Sequence, residues 1–388
     1  MKLRLFSAGG ILLLAAGLCQ AQDVDTSFDE PAQRPDDTIV VVDLPEPSLA
    51  PEPAALAFAH IPDTETELDP GDEGAAGPAI DRSAGGEDGS GDAGSPAALP
   101  EPALPEPVVE VVITADDIQA DRRWPQAARS TGGVIADRQI IAYYGHPRSR
   151  YMGVLGESPI EEMAASLLER AAEYDELNGD IGVAPAFHII YGTVYEDGSV
   201  GILREPKLME YLNYAADHGI LVFLDHQIGN GTVHDAITQM LPYLRYEHVH
   251  LAIDPEWATP IPGREIGQVS AADINEAQQL IEDYVIENDL PGNRMLVVHQ
   301  FNWRMITNRE NVRSDFSRVQ LIHNADGFGP PAEKYVSWEF NVQAVNLPLK
   351  GFKLFFPKTW RDGGYDEPLL TPAEVLQLDP VPVYVQYQ

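Results

Sequence analysis

Asp254 and Glu256 stand two residues apart at the end of an apolar run, LAIDPEW at 251–257. If that run is a strand, residues i and i+2 face the same way, so both carboxyls project together from the strand end. Two carboxyl groups converging on one cleft are what general acid/base or nucleophilic work on a glycosidic bond requires. Val249, Leu251 and Ile253 fall on one face, and His250, Ala252, Asp254 and Glu256 on the other. Pro255 cannot donate to a ladder, which fits a strand end.

Other chemistry-bearing residues sit at comparable places, just where apolar runs stop. They are His146; Asp225, His226 and Gln227; His299, Gln300 and Asn302; His323, Asn324 and Asp326; Lys358; and Gln386 with Tyr387. Buried polar groups cost free energy unless they are paired, so a ring of them in apolar strands points to function rather than packing. Asp225 and Asp326 are candidates for a second carboxylate, as nucleophile or as base for a water. His226, His299, His323 and Gln386 are candidates to hold sugar hydroxyls or orient carboxylates. His146, Gln300, Lys358 and the aromatic faces of Trp257 and Trp303 complete the candidate substrate surface. Tyr143, Tyr144, Phe301, Phe328, Trp360 and Tyr365 also lie near strand ends.

The elements that would position this ring can be read from the pattern. Eight strand candidates occur at 139–145, 184–192, 220–227, 248–256, 295–302, 318–324, 352–358 and 382–388. Helical spacing lies between them, as in Ile160, Met163, Ala164, Leu167, Leu168 and Ala171. A second helix should follow Ser270, carry Ile274, Ala277, Ile281 and Val285, and stop before Gly292. Near-continuous apolar strands alternating with helices indicate a parallel sheet covered on its outside. Residues 137–388 match the roughly 250 residues of a (β/α)8 TIM barrel, whose active site lies at the C-terminal strand ends. An open doubly wound sheet would want a glycine-rich phosphate turn after an early strand, and none is present. The expected fold class is therefore α/β, a (β/α)8 barrel.

The chain before the barrel reads differently. Lys2 and Arg4, the apolar ILLLAAGL at 11–18 and the small residues around Cys19–Ala21 form an export signal over 1–21. That run is shorter than the roughly 20 residues needed to span a bilayer, and no membrane insertion is expected. Leu18 stands where bacterial lipoprotein signals carry Gly, Ala or Ser, so anchoring through Cys19 is not expected either. The protein should be exported, to the periplasm or beyond. Cys19 is the only cysteine, which excludes disulfides, thiol catalysis and cysteine metal sites from the mature chain. Residues 22–130 are rich in Pro, Ala, Gly, Asp and Glu and read as a disordered acidic linker. Between 22 and 120 the chain carries 24 acidic residues against only Arg34 and Arg82, within a net charge of −36. This charge excludes a nucleic-acid partner and disfavours anionic membranes and polymers.

The D-x-E pair ending the fourth strand resembles the arrangement in chitinase-like glycosidases and in barrel-type muramidases. The resemblance implies cleavage of an amino-sugar polymer, with Glu256 as general acid and Asp254 orienting or assisting it. The fuller chitinase pattern carries further aspartates upstream, where this sequence has Leu251 and Ala252. Residues 139–388 also resemble uncharacterised secreted bacterial domains, with YYGHP, DPEW and HQF in the same order, a likeness that implies export and a barrel.

The leading expectation is a monomeric, cofactor-free barrel acting on a cell-envelope or extracellular polysaccharide. Two alternatives stay open. One is a hydrolase dependent on zinc or another divalent metal, drawing on His146, His226, His299 and His323 with Asp225, Asp254 and Asp326. It lacks H-x-H on the first strand and H-E-x-x-H anywhere. The other is a non-catalytic carbohydrate-binding barrel on a long tether.

Overall fold

The computed structural model describes residues 112–358 and 364–388. The export signal, the linker up to residue 111 and Trp360 lie outside the described residues.

Eight parallel strands close on themselves: β1 (Arg138–His146), β2 (Gly182–Val194), β3 (Leu221–Gln227), β4 (Val249–Asp254), β5 (Arg294–Gln300), β6 (Val319–Ala325), β7 (Leu349–Leu354) and β8 (Tyr384–Tyr387). The register runs continuously round the ring. Tyr144 pairs with His188, Ile190 with Asp225, Gln227 with Asp254 and Ile253 with Val298. It continues through His299 with Asn324, Asn324 with Gly351 and Lys353 with Gln386, and Gln386 returns to Ala142 on β1. The protein is thus an α/β (β/α)8 barrel, as expected.

Amphipathic helices cover the outside. Helices α1 (Ala115–Ile118) and α2 (Gln126–Arg129) precede β1. Then come α3 (Ile160–Asp175), α4 (Glu205–His218), α5 (Val233–Met240), α6 (Ala271–Glu287), α7 (Pro331–Val342) and α8 (Pro372–Leu376). In α3 the buried stripe is Ile160, Met163, Ala164, Leu167, Ala171 and Tyr174. Leu168, expected in that stripe, is 45% exposed. Tyr174 is buried instead, its hydroxyl 2.8 Å from that of Tyr387. Ser270 caps α6 reciprocally: its hydroxyl accepts from Asp273 N, and the Asp273 carboxylate accepts from Ser270 N. The helix stops at Glu287, so Gly292 belongs to the turn before β5 rather than to the cap. Two 3-10 turns, Trp303–Met305 and Arg309–Asn311, and the short strand Ile306–Thr307 between them join β5 to β6.

Two boundaries differ from the sequence reading in ways that matter for the site. The seventh strand is Leu349–Leu354, three residues earlier than expected at its start. Its two lysines, Lys350 and Lys353, are both buried. Residues 112–130, read as linker, carry α1 and α2. Ile118, Trp124 and Ala128 join the apolar core there, and the Trp124 indole donates to Ile135 O at 3.0 Å. Fully burying a large apolar side chain such as Ile118 contributes about 1.5–3 kcal/mol, which helps hold this short segment to the barrel.

Candidate active site

Contacts between strands that are not neighbours identify the side chains pointing inward. His188 on β2 and His299 on β5 have ring centroids 5.3 Å apart, and Phe223 on β3 meets Tyr384 on β8 at 5.2 Å. Such pairs meet only across the interior. In the same phase lie Tyr144, Asp225, Asp254, Asn324, Lys353 and Gln386, so every strand sends at least one polar side chain inside.

The floor is aromatic. Phe223 is flanked by His188, His250 and Tyr384. Gln386 Nε2 donates to the Tyr384 hydroxyl at 3.1 Å, and that hydroxyl lies 2.6 Å from His188 Nδ1. Above this layer Asp225 Oδ2 is 3.2 Å from His188 Nε2 and 3.4 Å from His299 Nε2, all three side chains being wholly buried. The far side of His299 is held through Nδ1, 3.0 Å from Asp326 Oδ1. Asn324 Nδ2 donates to the same oxygen at 2.8 Å, and Lys353 Nζ lies 3.2 Å from Asp326 Oδ2. Lys353 also sits 4.1 Å over the Tyr144 ring, a cation–π contact in a desolvated place. Gly351 leaves room for this layer, since a Cβ there would lie 2.4 Å from Asn324 Oδ1.

At the mouth, β4 ends at Asp254 and Pro255–Trp257 turns away as a 3-10 helix. The two acids therefore do not project from one straight strand. Asp254 caps the turn, accepting from Glu256 N at 3.3 Å and from the Trp257 indole at 3.1 Å. Gly267 N donates to Glu256 O at 2.6 Å and fixes the turn from the following loop. Lys334 on α7, buried, bridges the loops after β6 and β7. It donates to Gly327 O and Lys353 O and pairs with Asp366, which accepts from Gly329 N and Phe355 N.

The acids have different charge states. Burial alone would raise the Asp225 carboxyl, but the facing imidazoles of His188 and His299 hold it far below the usual carboxylate range. For Asp326 burial is likewise outweighed, by His299 and Lys353, and its pKa falls to about 2. Burial works against a charged His299, but Asp326 and Asp225 overcome it and lift this histidine to about 10. Burial brings His188 down to about 4 against the pull of Asp225. Asp254 rises to about 6 through burial, with Asp225 and Asp326 adding to the rise and His299 and Lys353 opposing it. Glu256 rises to about 8, through burial and then the charges of Asp254 and Asp326. Near neutrality the mouth thus holds a protonated carboxyl beside an ionised one. Glu256 is only half-buried, so solvent on its open side moderates its rise.

Of the residues singled out from sequence, Tyr144, Asp225, Asp254, Glu256, Trp257, His299, Asn324, Asp326 and Gln386 gather here. Six other candidates do not. His226 faces outward against Tyr191. His323 and Gln300 also face outward and bond each other at 2.8 Å, with Arg309 on Gln300 and Lys350 beside His323. His146 accepts from Arg148 N in the turn after β1. Trp303 is 61% exposed, and Lys358 lies beyond β7, paired with Glu157 at 2.5 Å. Each of the outward strand residues follows an inward one in sequence: His226 follows Asp225, Gln300 follows His299 and His323 follows Ile322. Strand phase separates them, while proximity to a strand end does not. His188, Lys353 and Tyr384 were missed. His188 and Tyr384 were legible as polar members of the inward phase, and Lys353 was hidden by the misplaced seventh strand.

No family model matches the chain, and no curated protein matches it. Among solved structures it is similar to chitinase from Chromobacterium violaceum ATCC 12472, at 12% identity over 55% of this chain and 68% of that one, with a TM-score of 0.32. It is also similar to the Bacillus cereus spore cortex-lytic enzyme SleL, at 13% identity over 56% of this chain and 50% of that one, again with a TM-score of 0.32. The chain therefore matches only half the length of SleL. With likenesses this distant, the barrel is established by the strand register of this chain itself.

Proposed function

We propose that the barrel is a glycoside hydrolase acting on a cell-envelope or extracellular polysaccharide. In this reading Glu256 protonates the leaving glycosidic oxygen. Asp254, ionised beside it and held by the Trp257 indole, stabilises the positive charge that develops on the sugar ring. The observation that carries the reading is the pair at the barrel mouth, a carboxyl that keeps its proton to about pH 8 next to one ionised above about pH 6. Two carboxyls whose environments separate their pKa values divide into acid and base roles. Asp225 and Asp326 are buried and engaged by histidine, asparagine and lysine; we assign them to the field beneath the site rather than to attack. Trp257 offers an aromatic surface at the rim for a sugar ring.

The proposal includes export directed by residues 1–21 and an acidic tether that spaces the barrel from its surroundings. Residues 112–130 are read as part of the folded unit rather than of the tether, since Ile118, Trp124 and Ala128 join its core. Among the described residues no helix is long and apolar enough to cross a membrane.

The test is reducing-end release by the purified protein on peptidoglycan, chitin, glucans and exopolysaccharides, with Glu256→Gln in parallel. Release that disappears in the variant supports the assignment. Turnover that survives the substitution removes Glu256 from the acid role, and a folded protein inactive on the whole panel counts against hydrolysis.

A further inference from the structure

The histidine–aspartate layer beneath the mouth has a feature that the acid pair does not use. His188 Nε2, His299 Nε2 and both oxygens of Asp225 are fully buried, yet none has a hydrogen-bond partner within the protein. Asp225 Oδ2 lies 3.2 Å from one nitrogen and 3.4 Å from the other, close enough for hydrogen bonds but not aligned for them. Leaving even one such group unsatisfied costs about 1–3 kcal/mol, and one ligand atom from each of the three residues lies within 4.8 Å of the others.

Ligands arranged around a common atom have these properties. Their lone pairs aim at a third point, not along the lines joining them. In a tetrahedral site with zinc–ligand bonds of about 2.0–2.1 Å, ligand atoms stand about 3.3–3.4 Å apart, the edge of the tetrahedron. The two separations, 3.2 and 3.4 Å, lie close to that edge. Two imidazole Nε2 atoms and one carboxylate oxygen are also a donor set that suits zinc and its first-row neighbours.

Each imidazole is, moreover, held by its other nitrogen. His299 Nδ1 lies against the Asp326 carboxylate at 3.0 Å and His188 Nδ1 against the Tyr384 hydroxyl at 2.6 Å. Metal-binding histidines are oriented in this way, by a carboxylate, carbonyl or hydroxyl on the far ring nitrogen. Asp326 is fixed in turn by Asn324 and Lys353, and Tyr384 by Gln386.

We propose that His188, Asp225 and His299 form a site for one divalent transition-metal ion of the zinc type, ligated through His188 Nε2, Asp225 Oδ2 and His299 Nε2. Three protein ligands leave a position for water or for a substrate atom. The set differs from the one suggested by sequence, sharing only Asp225 and His299 with it. The site does not depend on the glycosidase reading, because its test measures the ion and not turnover.

The full-length protein, stripped with chelator and shown to be folded by circular dichroism, is titrated with Co2+ and then Zn2+. The expected result is one equivalent of Co2+ with the intense visible absorption of a four- or five-coordinate ion, displaced by Zn2+. Asp225→Asn and His188→Gln should abolish the band, and Asp326→Asn should weaken binding by about 10–100-fold. Glu256→Gln should leave it intact. X-ray absorption of the zinc-loaded parent should show two imidazoles and oxygen in the first shell. A folded parent that takes up no stoichiometric ion overturns the proposal. So does a band that persists in folded Asp225→Asn, or a zinc shell without two imidazoles, which also decides the matter should the variants not fold.

Discussion

Glu256 should destabilise the native protein at the pH where its proton is useful. Its carboxyl ionises near 4.5 in an ordinary setting and near 8 in the folded protein. Below pH 4.5 both folded and unfolded chains hold the proton, and the residue contributes nothing. Between 4.5 and 8 the unfolded chain gives it up while the native state keeps it. The native state then binds more protons, and stability falls as pH rises. At about 1.4 kcal/mol per pH unit, the interval sets a ceiling of about 5 kcal/mol above pH 8 and about 3 kcal/mol at pH 7. Because Glu256 is half-buried, water on its open side reduces the effect, and about 1–3 kcal/mol at pH 8 is the expected size. Glu256→Gln keeps the shape and removes the titration. Urea midpoints for parent and variant should therefore coincide near pH 4 and separate progressively to pH 8, with the variant more stable. A variant less stable than the parent at pH 8, or a difference that does not change with pH, would refute the raised pKa and with it the protonated acid at the mouth.

The remaining predictions concern the groups around that acid. Hydrolysis, once a substrate is in hand, should follow a bell with an acid limb near pH 6 from Asp254 and a basic limb near pH 8 from Glu256; rate–pH profiles read both limbs. Trp257→Phe removes the indole donor from Asp254 Oδ2, so the acid limb should move up by a fraction of a pH unit while the basic limb stays within that range. Lys353→Met strips the cation from buried Asp326, which should cost about 3–5 kcal/mol in denaturant unfolding; a loss under 1 kcal/mol would show that the pair is not shielded from water. Gly351→Ala would place a methyl 2.4 Å from Asn324 Oδ1, and overpacking of that kind should cost about 1–3 kcal/mol by the same measurement.

How far the sequence discloses this barrel depends on which physical signal each part leaves. The strands were legible because parallel strands buried on both faces are nearly continuous apolar runs, and seven of the eight fall close to their expected places. The seventh was placed three residues late, its start leaving out Lys350, and both its lysines are buried, which lysine tolerates only with partners. Those partners, Asn341 O and Ala344 O for Lys350 and Asp326 for Lys353, come from other elements. Nothing local in LPLKGFKLFF announces them.

The same reasoning separates the site residues. Asp254 and Glu256 declared themselves by spacing, although the turn at Pro255, not strand geometry, sets their relation. His226, Gln300 and His323 were gathered with the true interior because they share its sequence neighbourhood, while the period of 2 sends them to the opposite face. Had each strand been phased from its most certain inward residue, Asp225 would have excluded His226, and His299 would have excluded Gln300. Ala186 and Ile190 would have brought in His188. The lesson is specific to barrels with polar interiors: inside, a polar residue must find its partner across the ring, from a strand that sequence order does not name. Asp225 shows the limit most sharply, because its two imidazoles come from β2 and β5. Only closure of the barrel brings them to one oxygen, which is why neither the His–Asp–His layer nor the ion it is proposed to hold could be read from motif spacing.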